Sequence, residues 1–415
     1  MRACIHRGSK QIGGSCVELE TGGKRLVLDL GLPLDAANND AVLLPGIRGI
    51  DGNDPSLCGI LISHPHLDHY GLLAHVSRRV PIGLGRSARR ILQAASSFVP
   101  GDWPVPASGW DYESETTFNV GPFQITPYLV DHSAYDAYSL LIEADGKRIF
   151  YSGDFRAHGR KSRLFDAIVK RPPTRIDALL VEGSSLSRLS ADATFPNESD
   201  IEAKLVDTFR ETAGLALVHA SVQNIDRLVS IFRAAKKSGR TLVIDLYAAA
   251  LLEATGNASL PQSDWDNIAL FVPHAQRLHI KKNSLFELLS RHSAKRIYQT
   301  DLARAPHRFT LLFRPLHCSD LDQAKCLTGA SYVYSQWEGY WNHGTYDKLK
   351  AWIDRQGIVP TMLHTSGHAS PRDLKTFVKA LDARKVVPIH SFRPDLYAER
   401  FDNVEPHADG EWWDL

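Results

Sequence analysis

The sequence predicts an α/β fold in two parts: a sheet sandwich assembled from both ends of the chain, and a separate α/β unit inserted between them. Three observations predict it. The first half alternates short β-rich runs with helical stretches. From about Asn197 a strand–helix–strand rhythm sets in, which implies a parallel sheet. After about Tyr346 the first-half texture returns. On this reading residues 1–197 and 347–415 form one discontinuous domain, and 198–346 form the insert.

The elements follow from local pattern. VELE, KRLVLDLG and CGILISH read as strands, and HYGLLAHVSRRV reads as a helix after the last of them. FQITPYLV, YSLLIEA and KRIFYSG are further strands. DALLVEG is almost continuously apolar, as in a strand covered on both faces. In the insert, ESDIEAKLVDTFRETAG is a helix that Ser199 or Asp200 can cap and Gly214 can close. LALVHAS and RTLVIDL are strands flanking the helix QNIDRLVSIFRAAKKSG. Near the end come the helix KLKAWIDRQG, a strand and loop in PTMLHTSG, the helix PRDLKTFVKALDA and the strand KVVPIHSF. Pro371 after Ser370 makes a good helix start.

Composition bounds the setting. The 415 residues are 43% hydrophobic and 23% charged, ordinary for a globular protein and enough for a sizeable core. No apolar run reaches the roughly 18 residues of a membrane span, and MRACIHRGSKQIGG lacks the apolar segment of a secretory signal. The expected location is therefore cytoplasmic, with no membrane partner. The five cysteines are odd in number, scattered and without a CxxC pair, which suits a reducing compartment and argues against a disulfide framework or a cysteine zinc cage. A net charge of +1 gives no support for a strongly basic face or for nucleic-acid binding, though it leaves room for a local groove.

The chemistry concentrates in His64-Pro65-His66-Leu67-Asp68-His69, directly after the apolar run GILIS. In a loop leaving a strand, His64 and His66 can point to one side, while Asp68 and His69 come from the next turn and can serve a second metal. Neutral imidazole and carboxylate suit zinc. Single polar residues also close other apolar runs: Asp29 after RLVL, His132 after YLVD, Asp154 after FYSG and His390 after VVPI. A lone histidine after a strand is usually satisfied or solvent-facing. Repeated five times, the arrangement predicts ligands gathered at one edge of a sandwich.

The order Asp29, HPHLDH, His132, Asp154 resembles the four motifs of the metallo-β-lactamase superfamily. That resemblance implies an αββα sandwich with two zinc ions at its edge, manganese being the alternative metal. It implies His64, His66 and His132 for the first ion, and Asp68, His69 and His390 for the second. Asp154 would bridge the two, and Asp29 would orient a ligand or its loop. VEGSSL with Glu182, HTSGHAS with His368 and VPIHSF with His390 resemble motifs A, B and C of the β-CASP branch, whose inserted domain matches the central α/β stretch. Within that branch the texture is nearest the ribonuclease J group, as is the opening GSKQIGG. Ser184 stands where the branch usually has threonine, and the separate C-terminal domain of that group is expected to be absent.

What the resemblance implies about function is a ribonuclease: a hydroxide held between the ions attacks an RNA phosphodiester. Asp68 and Asp154 serve the centre, and His368, held by Glu182, stabilises charge or protonates the leaving oxygen. Histidine at motif C tips the substrate toward RNA, with single-stranded DNA next. A small-molecule lactone or thioester hydrolase and a catalytically silent nucleic-acid-binding subunit are the rival classes. The motif B histidine and the large insert speak against the first, and the full ligand set against the second. Homo-oligomerisation is compatible with all of them. Substrate contacts are less legible. Ser221–Asn224 reads first as an ordinary helix cap. Lys281, Lys282, Arg304, Arg308 and Arg314 read as solvated charges or an RNA path, and Tyr340 and Trp341 as packing or base stacking. Trp412 and Trp413 fit core, interface or lid equally. There is no phosphate-binding GxxxxGK[ST] loop and no GxSxG elbow.

Overall fold

The computed structural model describes residues 1–98, 109–342 and 344–415. The chain folds as two compact units, one comprising 1–96, 100–195 and 367–415, the other 97–99 and 196–366.

Strands are numbered in chain order. In the first unit one seven-stranded sheet runs β20 (Trp412–Asp414), β1 (Arg2–Arg7), β2 (Cys16–Thr21), β3 (Lys24–Leu28), β4 (Leu57–Leu61), β5 (Ile82–Gly85) and β6 (Asp111–Tyr112). It is antiparallel as far as β3 and parallel beyond. The second sheet runs β19 (Lys385–Ile389), β11 (Ala178–Glu182), β10 (Lys147–Tyr151), β9 (Ala137–Ala144), β8 (Phe123–Val130) and β7 (Phe118–Val120).

Side-chain alternation explains why the sheets stack. On β8 and β9, Phe123, Ile125, Leu140 and Ile142 join Ala3, Ile5, Val17 and Leu19 of the first sheet in one core. Their neighbours Ala137 and Leu141 turn the other way, onto Phe377 and Leu374 of the helix Pro371–Leu381 and Phe165 of the helix Ser162–Lys170. The outer face of the first sheet buries Val27, Ile60 and Ile82 against Ala88 and Leu92 of the helix Arg86–Ser96. The layers are thus helix, sheet, sheet, helix, the predicted sandwich. All five residues of β11 are buried, as a strand covered on both faces requires.

The second unit carries a parallel sheet in the order β15 (Arg296–Ile297), β14 (Ile268–Phe271), β13 (Thr241–Ile244), β16 (Phe309–Phe313), β12 (Ala216–His219), β17 (Ser331–Tyr334) and β18 (Pro360–Met362).

Three expectations need correction. Residues 69–80 do not form a helix. There is one turn at Leu67–Tyr70 and a 3₁₀ turn at Leu73–His75. The backbone here pairs with a distant segment instead: Leu32 N donates to Leu67 O, Leu30 N to His69 O and Leu72 N to Leu30 O. The helix Glu198–Glu211 is capped by Asn197, whose side chain accepts from Asp200 N while the Asp200 carboxylate accepts from Asn197 N, and it ends at Thr212 rather than Gly214. Finally, the chain returns to the first unit at Gly367, not at 347. Residues 347–366 belong with the insert because β18 extends its sheet beside β17, and Leu349, Trp352 and Ile353 complete its core.

Candidate metal centre

The polar residues singled out above sit at the C-terminal ends of strands in the first unit: Asp29 after β3, His64 after β4, His132 after β8, Asp154 after β10, Glu182 at the end of β11 and His390 after β19. Asp29 and His390 adopt left-handed backbone conformations (φ 57° and 53°) and are buried, a strained state that tight surroundings must hold.

The side chains converge in three overlapping sets: His64, His66 and His132; Asp68, His69, Asp154 and His390; and Asp154, Glu182 and His368. Within each set the candidate ligand atoms lie within 4.8 Å of one another. Asp154 Oδ2 is 3.2 Å from His69 Nε2, 3.5 Å from His368 Nδ1, 3.7 Å from His390 Nε2 and 3.8 Å from His64 Nε2. His132 Nε2 lies 3.1 Å from His66 Nδ1.

Whether this donor set fits metal is tested by its unmet bonds. His64 Nε2, Asp154 Oδ1 and His390 Nε2 are buried and have no hydrogen-bond partner. Buried polar atoms rarely stay unpaired without a ligand, ion or other function to explain them. Burial pushes His64, His132 and His390 below the ordinary imidazole range, with neighbouring histidines adding to it, and takes His66 down to about 4. Neutral imidazoles are what a divalent cation needs. Burial also opposes charge on His69, but Asp154, Asp29 and Asp68 outweigh it and raise its pKa. Asp154 is likewise held well below the carboxylate range: His390, His69 and His368 outweigh the effect of burial. The set fits a divalent metal.

Most rings are held from behind. Asp29 accepts from His69 Nδ1 (2.7 Å), Ser63 N (2.6 Å), Ser63 Oγ (2.8 Å) and Tyr151 OH (2.6 Å). Ser63 Oγ also reaches His64 Nδ1 at 3.0 Å, and Ser15 Oγ reaches His390 Nδ1 at 2.9 Å. Glu182, fully buried, lies 3.1 Å from His368 Nδ1 and accepts from Ser184 Oγ at 2.6 Å. The serine thus makes the bond that a threonine would make. Sequence reasoning missed Ser15, Ser63 and Tyr151. Only Ser63, next to His64, carried a usable signal.

Some of the candidate substrate contacts resolve into capping or packing, while Lys281, Lys282, Arg304 and Arg308 stay exposed. Asn224 caps the helix Ile225–Lys237 by accepting from Arg227 N. Arg314 pairs with Asp245 at 2.5 Å and lies over Tyr247. Trp341 packs on Tyr334, whereas Tyr340 is exposed. Trp413 is core, stacked on His407 at 4.2 Å.

Residues 39–219 match the beta-lactamase superfamily domain, and residues 352–403 match the RNA specificity domain of Zn-dependent metallo-hydrolases. Together the two matches take in more than half of the chain and all of the converging residues. The chain belongs to the metallo-β-lactamase superfamily. Among superfamily relatives, ribonuclease J of Helicobacter pylori (strain ATCC 700392 / 26695) is 22% identical over 57% of this chain and 35% of its own length. Ribonuclease J of Sinorhizobium meliloti is 20% identical over 86% and 62%, and ribonuclease J 2 of Streptococcus pyogenes 22% over 94% and 70%. The chain thus spans about a third of the Helicobacter relative. A solved structure, a protein of unknown function from Enterococcus faecalis V583, shares the superfamily fold across 100% of this chain and 99% of its own, with a TM-score of 0.81 at 21% identity. Among the described residues no helix is long and apolar enough to cross a membrane.

Proposed function

We propose that the chain is a zinc-dependent ribonuclease of the β-CASP branch, cleaving RNA phosphodiester bonds at a two-ion centre. The observation that carries this reading is the convergence of seven side chains in two sets, with three of their buried ligand atoms lacking a hydrogen-bond partner. On this reading His64, His66 and His132 hold one ion, Asp68, His69 and His390 hold the other, and Asp154 serves both. A zinc pair supplies a Lewis acid for a phosphoryl oxygen and makes water nucleophilic at neutral pH.

The chain's own groups do the rest. Asp29 and Ser63 orient His69 and His64, and Ser15 orients His390. His368 is 23% exposed, so substrate can reach it. Held by Glu182 through Nδ1, the imidazole would hold a proton for the leaving oxygen or bond a phosphoryl oxygen. Its pKa is raised to about 9: burial opposes the charge, and Glu182 and Asp154 outweigh it. RNA is favoured because the RNA-specificity match spans both His368 and His390 and the relatives are named ribonuclease J.

Digestion of 5′- and 3′-labelled RNA and of matched DNA, with zinc- or manganese-titrated protein, tests the reading. Metal-dependent RNA product ladders are expected. Metal-loaded protein that binds RNA without cutting it, or that cuts DNA alone, overturns it.

A further inference from the structure

His132, like its partner His66, differs from the other histidines at the centre. His64, His69, His368 and His390 each have one ring nitrogen on a serine or carboxylate that orients the imidazole. His132 Nδ1 has no such partner, and its Nε2 faces only His66. A metal-binding histidine normally gains its aim from that second bond. Here the backbone must supply it, and the backbone at His132 is held with unusual firmness.

Its neighbour Asp131 is fully buried and paired with Arg156, also fully buried, at 3.2 Å (Oδ1 to Nε). Asp131 Oδ2 accepts from Gly159 N at 2.7 Å, and Asp131 O accepts from Arg156 N at 2.7 Å. The carbonyl of His132 itself accepts from Lys161 Nζ at 3.3 Å. A Cβ at Gly159 would collide with both the Asp131 carboxylate and the Arg156 guanidinium, so the loop approaches as closely as it does only with glycine there. Arg156, Gly159 and Lys161 all come from the loop that begins at Asp154. Asp131 precedes His132, and Arg156 follows Asp154 by one intervening residue.

We infer that Asp131 and Arg156, with Lys161, are positioning residues that aim His132 through its backbone and tie it to Asp154, so that a first-ion ligand and the shared ligand are set as one piece. Placing a buried ion pair here is costly in desolvation, which a merely structural site could avoid with apolar side chains. The inference rests on the two-ion reading above.

The test is metal titration of the full chain, stripped and reloaded with zinc or cobalt(II), in wild type and variants. Asp131→Asn is expected to weaken metal binding roughly 10–100-fold, the usual effect of losing a group that orients a ligand, and to change the visible cobalt spectrum. Arg156→Lys, which keeps the charge but not the Nε contact, should act in the same direction. Lys161→Met removes a side chain that is 20% exposed and should weaken binding by roughly tenfold. Glu18→Gln breaks a different buried pair in the same unit (Glu18–Arg25, 2.7 Å) and should lower thermal stability without touching affinity or spectrum. Wild-type affinity and spectrum in any folded variant of the clamp, Lys161→Met included, overturn the inference. Wild-type protein that takes up no metal overturns the two-ion reading instead.

Discussion

Replacing His368 separates the groups that hold metal from the groups that act on substrate. Its ring is bound to the protein through Nδ1 and Glu182 Oε2, and it lies at the exposed rim of the centre. His368→Ala therefore leaves an opening to solvent rather than a sealed cavity, and all seven proposed ligands stay in place. A general acid contributes on the order of 100- to 10,000-fold, or about 3–5 kcal/mol, and kcat should fall by that amount. Zinc should remain at two ions per chain. Glu182→Gln is the finer probe. The glutamine oxygen can keep the Phe155 and Ala369 amides that Glu182 Oε1 now accepts from, at 3.3 Å each. Its NH2 then faces His368 Nδ1, which must become an acceptor. Losing a charged hydrogen bond for a neutral one costs about 1–1.5 kcal/mol, or roughly tenfold in rate. Single-turnover cleavage of labelled RNA beside zinc analysis of the same samples reads both quantities. A His368→Ala protein that loses one zinc, or that cuts within threefold of wild type, refutes the separation.

Asp29→Asn weakens an acceptor that serves four donors, and zinc affinity in a chelator competition should drop roughly 10–100-fold while the fold persists. Gly31→Ala would drive a methyl into the carbonyl of Asp68 and toward Ser15 N; about 1–3 kcal/mol of stability and part of the bound metal should be lost together, read by thermal melting and metal content. Glu18 has its pKa lowered because hydrogen bonds from His6 and Arg25 outweigh burial. A depressed carboxyl contributes stability above its unfolded pKa and loses it as pH falls through the folded value. The gap in melting temperature between wild type and Glu18→Gln should thus be full at pH 7 and shrink as pH drops below about 4.

The residues at the centre were legible in the sequence because several close an apolar run, and an apolar strand ending in a lone polar side chain is a local pattern. Asp29, His132, Asp154 and His390 all announce themselves in this way, and the structure brings their side chains together. The groups behind them were not legible. Asp131 and Arg156 are far apart in the sequence, and each looks like an ordinary surface charge until the fold buries both. The failed helix at 69–80 has the same origin: its apolar spacing is helical, but the donors and acceptors that win are those of Leu30 and Leu32, from a segment that no local window contains. The return to the first unit was misplaced because KLKAWIDRQG and the strand after it read alike whichever sheet they join. The pairing of β18 with β17 and the packing of Leu349, Trp352 and Ile353 decide that they complete the insert.

The central claim is that His64, His66, Asp68, His69, His132, Asp154 and His390 grip two cations. Anomalous diffraction from crystals grown with zinc, with data above and below the zinc edge, tests it most directly. Two peaks flanking the Asp154 carboxylate, one beside the three histidines from 64, 66 and 132 and one beside His69 and His390, are the expected result. A single peak, or peaks on other surfaces with this cluster dark, would contradict it.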